Sequence, residues 1–149
     1  MSSRIAFALS LAAALAFVHP ALAADPVTDG ISAMPAGIED VRIGGTWEKE
    51  GKTGAYRIVI SRSGGDTVVA RLFVQWISYA TGGDATVDTT MEIKEIAEKK
   101  IDIVDYTSES DQDGLSVYIE TIDPSGNGDQ NYELHITSPT DYKFGPTSN

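Results

Sequence analysis

Apolar and polar side chains alternate most cleanly between Gly45 and Trp76, GTWEKEGKTGAYRIVISRSGGDTVVARLFVQW, and the alternation predicts three consecutive strands. Tyr56, Ile58 and Ile60 share one face against Arg57 and Val59. Val68, Ala70, Leu72, Val74 and Trp76 share another against Thr67, Arg71 and Gln75. Short polar links, Glu50 to Gly54 and Arg62 to Asp66, suit hairpins. Further on, Leu115, Val117 and Ile119 alternate with Ser116, Tyr118 and Glu120, and Tyr132, Leu134 and Ile136 alternate with Asn131, Glu133 and His135. Between these blocks, Ala80 to Asp88 reads as a loop and Thr89 to Lys99 as a strand, although its Glu and Lys content favours helix. Lys100 to Thr107 is a strand whose alternation slips once, as at a bulge. A last short strand, Asp141 to Phe144, precedes the stop at Gly145-Pro146.

The expected architecture is therefore all-β, with about eight antiparallel strands that must close on themselves or pack as two sheets to protect their edges. We expect an up-and-down barrel over residues 42–149, with a β-sandwich as the alternative. Residues 24–41 hold Pro26, Gly30, Pro35 and Gly37 and read as an extended lead-in. The core predicted from the strand faces comprises Trp47, Tyr56, Ile58, Ile60, Leu72, Val74, Trp76, Val117, Ile119, Leu134 and Ile136. Phe73 and Tyr118 fall on the opposite faces, to be covered by the lead-in or offered to a partner.

Ahead of this domain, Arg4, the apolar run Ile5 to Val18 and Ala21-Leu22-Ala23 have the three parts of a secretory signal, with cleavage expected after Ala23. The run of 14 residues falls short of the roughly 20 that a membrane-spanning helix needs, so no lasting anchor is expected after cleavage. These features point to a bacterial protein of the periplasm or the medium. Cysteine is absent, so an oxidising compartment adds no disulfide to the fold. From residue 24 onward Ile and Val number 22 against three Leu, a bias that suits pleated sheet over helix.

Charge narrows the partners. The chain carries a net charge of −11, or −12 without Arg4, and residues 84–149 hold fifteen acids against Lys94, Lys99, Lys100 and Lys143. Nucleic acid and anionic lipid surfaces are thereby disfavoured; cations and basic proteins are not.

Gly45-Thr46-Trp47 at the head of the first strand resembles the G-x-W start of the calycins, the lipocalin and avidin-like barrels. The resemblance implies a barrel with Trp47 closing its floor beneath a ligand cavity. Trp47, Tyr56 and Trp76 are accordingly the candidate ligand-binding residues, with the 80–88 loop above them.

Asp123, Ser125, Asn127 and Asp129 stand at positions 1, 3, 5 and 7 of a loop with Gly128 at position 6, spacing that resembles a calcium loop of EF-hand type. Position 12 is Leu134 in place of the bidentate Glu, and the flanks read as strands. A polar hairpin loop would use the same residues for turn geometry. Calcium is the one cofactor the sequence leaves open. Asp105 to Gly114 forms a second acidic cluster, expected at the opposite end of the intervening strand.

Catalytic constellations are lacking. Beyond His19 the only histidine is His135, on a polar strand face, and there is no G-x-S-x-G and no phosphate-cradling glycine loop. The expected function is a non-enzymatic binding protein holding a small apolar or amphipathic ligand in the barrel mouth. The alternatives are an acidic interaction or inhibitor module facing a basic partner, and a calcium-dependent structural module.

Overall fold

The computed structural model describes residues 25–148; the expected signal sequence lies outside them. A short helix, α1 (Pro26–Ser32), precedes in sequence the main unit, which begins at Met34. The segment expected to be extended is helical there because Asp25 caps it, accepting from the Val27 N–H at 3.1 Å, and Pro26 has its φ preset at the first turn.

Eight strands follow, β1 (Ile38–Lys49), β2 (Lys52–Ser63), β3 (Val69–Tyr79), β4 (Ala85–Ile93), β5 (Asp102–Asp111), β6 (Gly114–Ile122), β7 (Tyr132–Ser138) and β8 (Asp141–Pro146). They form two antiparallel four-stranded sheets, in the orders β1-β2-β3-β4 and β5-β6-β7-β8. The slip anticipated in β5 is a register shift between Ile103 and Asp105.

The segment 89–99 divides in two. Residues to Ile93 complete β4, and α2 (Lys94–Lys99) follows, ending at Lys100 in the left-handed region, φ 55°. One helical turn buries Ile93 and Ile96 together, three residues apart, which no single strand face can do. The loop at 80–88 is correspondingly shorter, since β4 already begins at Ala85.

This helix breaks the continuous meander: β4 and β5 are not partners, and no ladder closes the sheets into a barrel among the described residues. Instead β5 lies beside β1. Arg42 faces Asp105 at 3.6 Å and Tyr106 at 4.5 Å, a Cβ on Gly44 would meet Ser108, and the Thr46 N–H donates to Ser110 Oγ at 2.9 Å. These contacts advance together along both strands, so β1 and β5 run in the same direction, joined through side chains. Gly44 and Gly45 permit the approach, for a Cβ on Gly45 would overlap Ser110. At the other end of the seam Arg62 of β2 donates to Asp102 at 2.8 Å, to Glu39 at 3.1 Å and to the Ile103 carbonyl, while the Ala70 N–H donates to the Ile101 carbonyl at 2.9 Å.

The inner faces of the two sheets share one core, with Ile58, Ile60, Leu72 and Val74 from the first and Val117, Ile119, Leu134 and Ile136 from the second, all fully buried. Each such side chain contributes about 1.5–3 kcal/mol relative to an exposed one. All the residues predicted as core are buried except Trp47, which packs on the cluster half-exposed. Across the side away from the β1–β5 seam, α2 spans the sheets: Ile96 enters the core, the Tyr142 hydroxyl donates to Glu95 at 2.9 Å, and Lys99 sits 5.5 Å from the Tyr132 ring, which stacks on Phe144. On the outer faces, the Arg71 guanidinium covers Phe73 at 4.8 Å while pairing with Glu92, and Tyr118 donates to Glu109 at 3.1 Å. No helix among the described residues is long and apolar enough to cross a membrane.

Tyr106 is the uneconomical residue of the seam. It is 5 % exposed, and its hydroxyl is buried without a partner among the described residues. Burial, followed by the Asp40 carboxylate, pushes its pKa up to about 12, with the Arg42 cation opposing. An unpaired buried hydroxyl costs about 1–3 kcal/mol, so Tyr106→Phe should leave the fold as stable or up to about that much more stable at neutral pH. Because the folded pKa lies above the unfolded value near 10, the tyrosine's contribution is whole below that pH and is lost as pH rises towards about 12. Urea denaturation of both proteins across this window should show the wild type losing stability that the variant retains.

Candidate functional site

At the end of the molecule where the β1–β2 and β5–β6 hairpins turn, the sheets part around a hollow of about 750 Å³. This falls in the size range of ordinary ligand pockets. Its lining joins Thr46 to Glu50 of the first hairpin, with Thr53 and Gly54, to Tyr79 at the end of β3 and Ser110, Asp111 and Gln112 at the tip of the second.

Trp47 floors the hollow. It lies opposite Gly54 in the β1–β2 register, on the inward face, and its indole occupies the space that a Cβ on Gly54 would take. The same Cβ would also strike the Ile77 carbonyl of β3, so glycine is required there by close approach of backbone as well as ring. The Trp47 Nε1–H is buried and has no partner among the described residues. An unspent donor in such a place carries a desolvation cost, which a buried water would offset.

The other two candidate residues sit deeper. Tyr56 and Trp76 are opposed in the β2–β3 register, buried, and packed edge to face with ring centroids 5.7 Å apart. Neither lines the hollow. Tyr56 still senses it: burial and then the Asp111 carboxylate raise its pKa. The structure thus places Trp47 at the surface of the hollow and the Tyr56–Trp76 pair in the core beneath. The 80–88 loop contributes no lining residue.

Sequence reasoning missed the rim. Lys49 pairs directly with Lys52, leaving a two-residue turn of Glu50 and Gly51, both at positive φ (53° and 76°). A turn of this hand suits the sheet twist but favours Asn, Asp or Gly at its first position. Glutamate there costs about 1–2 kcal/mol. The E-G dipeptide between two alternating runs was the available signal. Glu50, Glu48 and Asp111 give the hollow three carboxylates against Lys49, with Tyr79 as a second aromatic wall.

The 123–129 loop is at the opposite end of β6 from the β5–β6 turn. Its polar groups are turned on one another: Asp123 Oδ1 accepts from the Ser125 N–H at 2.8 Å and the Ser125 hydroxyl at 2.5 Å, and the Asn127 amide donates to Ser125 Oγ at 2.6 Å. The Ser125 hydroxyl, then the Ser125 N–H and last the Asn127 side chain hold the Asp123 carboxyl below its usual pKa, against a small opposing effect of burial. These contacts make an Asx turn in which the loop's polar groups are bonded to one another. Among the described residues no group of three or more His, Cys, Asp or Glu converges as a metal site. His135 shares a hydrogen bond of 3.0 Å with Ser116 on the outer face of the second sheet.

Comparison with family models, with curated proteins and with solved structures finds no match to this chain. The functional reading therefore rests on the geometry of the hollow.

Two substitutions separate its structural and functional parts. Gly54→Ala should destabilise the fold by about 1–3 kcal/mol, because the Ile77 carbonyl cannot withdraw without breaking the β2–β3 ladder. Glu50→Asn should stabilise it by about 0.5–1 kcal/mol through relief of the turn. Thermal denaturation of both variants checks the opposite signs.

Proposed function

We propose that this is an exported, non-enzymatic binding protein that receives an amphipathic ligand at the open end of its two sheets, apolar body against Trp47 and cationic end among Glu48, Glu50 and Asp111. The observation that carries this reading is the inward-facing Trp47 in the wall of the hollow, with the carboxylates of Glu48, Glu50 and Asp111 beside it. The strained Glu50 on the rim supports it, since a residue kept against local stability marks a position held for another purpose. Export rests on the signal-like residues 1–23. The finer architecture we read as a sandwich, since β1 lies beside β5 without a ladder and the core between the sheets is filled. On this reading the likeness to calycins is confined to Gly45-Thr46-Trp47 and the placing of its tryptophan at one end of the core.

A second reading has its own support. The outer face of the second sheet carries Asp105, Glu109, Glu120 and Glu133 against Lys143, a surface suited to a basic protein partner.

Decyltrimethylammonium and decyl sulfate, each below its micelle-forming concentration, test the first reading by tryptophan fluorescence. The ammonium should bind and the sulfate should not. Glu50→Asn should weaken ammonium binding by about threefold to tenfold while its melting temperature stays level or rises. Equal binding of the two amphiphiles, or no change in the variant, overturns the reading. A lysine-rich peptide that binds the wild type and Glu50→Asn alike, with affinity collapsing in salt, would favour the second.

A further inference from the structure

The 123–129 loop, which neither reading of the binding site uses, contains one pair of residues whose arrangement has a chemical consequence. Asn127 is followed by Gly128, both are exposed, and both lie outside either ladder. Gly128 has φ +105°, nothing within 4 Å of where a Cβ would stand, and an N–H that donates to no group among the described residues. An asparagine followed by a glycine can close on itself, because the next backbone nitrogen reaches the side-chain carbonyl carbon through a five-membered ring and no Cβ obstructs it. Tight structure prevents this by holding the glycine N–H in a hydrogen bond or by fixing the backbone.

We propose that Asn127 is a site of spontaneous deamidation in the folded protein. The Gly128 nitrogen attacks Asn127 Cγ, a C–N bond forms, and the bond from Cγ to the side-chain nitrogen breaks. Ammonia departs, carrying the proton from Gly128. Water then adds to either carbonyl of the resulting cyclic imide and opens it, leaving a carboxylate on the ordinary backbone or on a backbone lengthened by one methylene. No oxidant, metal or enzyme enters the balance.

One feature of the loop favours the reaction. The lengthened backbone can be accommodated, since the loop joins β6 to β7 without pairing and has a second glycine at positive φ, Gly126 (79°).

The chain supplies its own controls. Asp113-Gly114 could close the same ring only by losing water in place of ammonia, and there the Gly114 N–H donates to Asp111 Oδ1 at 3.2 Å and a Cβ would strike the Ile136 carbonyl. Asn131 precedes Tyr132, whose buried ring and place in β7 hinder attack on its nitrogen. Each event at Asn127 adds one negative charge at the end of β6 remote from the hollow, so the modification can be followed without disturbing the binding site.

The full chain is incubated in mildly alkaline buffer at physiological temperature, both folded and in denaturing urea, and sampled by fragment-ion mass spectrometry. The mass gain of an amide-to-acid exchange should accumulate at Asn127 roughly tenfold faster than at Asn131, and in the folded chain within about threefold of the unfolded rate. Asn127→Ala should abolish the major acidic band on isoelectric focusing, and Gly128→Ala should slow its appearance. Protection of Asn127 in the folded chain by more than about tenfold, or conversion at Asn131 as fast as at Asn127, overturns the proposal.

Discussion

Two four-stranded sheets each carry one face of branched aliphatic side chains, and each face can leave water only against the other. Ile58, Ile60, Leu72 and Val74 on one side and Val117, Ile119, Leu134 and Ile136 on the other are buried in a single cluster. Burial of eight such side chains far outweighs any single hydrogen bond in the molecule. The sheets are nevertheless not joined by a ladder. What sets one against the other is a seam of side chains between β1 and β5, pinned by Arg62 at one end and by Ser110 at the other, with α2 across the far side. The glycines at 44 and 45 let those strands approach; Tyr106, its hydroxyl buried without a partner among the described residues, is the misfit of that approach.

The same arrangement makes the candidate site. Where the sheets separate at the hairpin end, the core is finished by Trp47 laid over Gly54, and the ring is left with one side towards the hollow. Its partners are set by two turns far apart in sequence. The first, at Glu50-Gly51, is held in a conformation that glutamate disfavours; the second presents Asp111 close enough to raise the pKa of Tyr56. The first sheet thus contributes Trp47, Glu48 and Glu50, and the second closes the acidic rim with Asp111. The hollow exists only while the core holds them together.

Strands were legible in the sequence because burial on one face imposes a period of two. Tyr56 to Ile60, Leu72 to Trp76, Leu115 to Ile119 and Tyr132 to Ile136 all show it, and all are strands facing the core. The two helices were not. α1 and α2 span seven and six residues, too short for helical periodicity to emerge, and the separation of Ile93 from Ile96 has meaning only once the core is known. The seam was out of reach for a different reason. Arg42 meets Tyr106, and Thr46 meets Ser110, across 64 residues, and no local pattern records such a pairing. Trp47 was picked out from Gly45-Thr46-Trp47, whereas the rim was missed because, although Glu50-Gly51 signals a turn, its meeting with Asp111 leaves no local pattern.

One cooperative unit is the account's central claim, and amide hydrogen exchange tests it most directly. If the two sheets stand or fall with their common core, the slowest amides of β2, β3, β6 and β7 should exchange through the same global opening, with free energies agreeing to within about 0.5 kcal/mol and falling in parallel as urea is added. Amides of β6 and β7 that exchange through a separate opening, several kcal/mol below that of β2 and β3, would show the second sheet unfolding without the first and would contradict it.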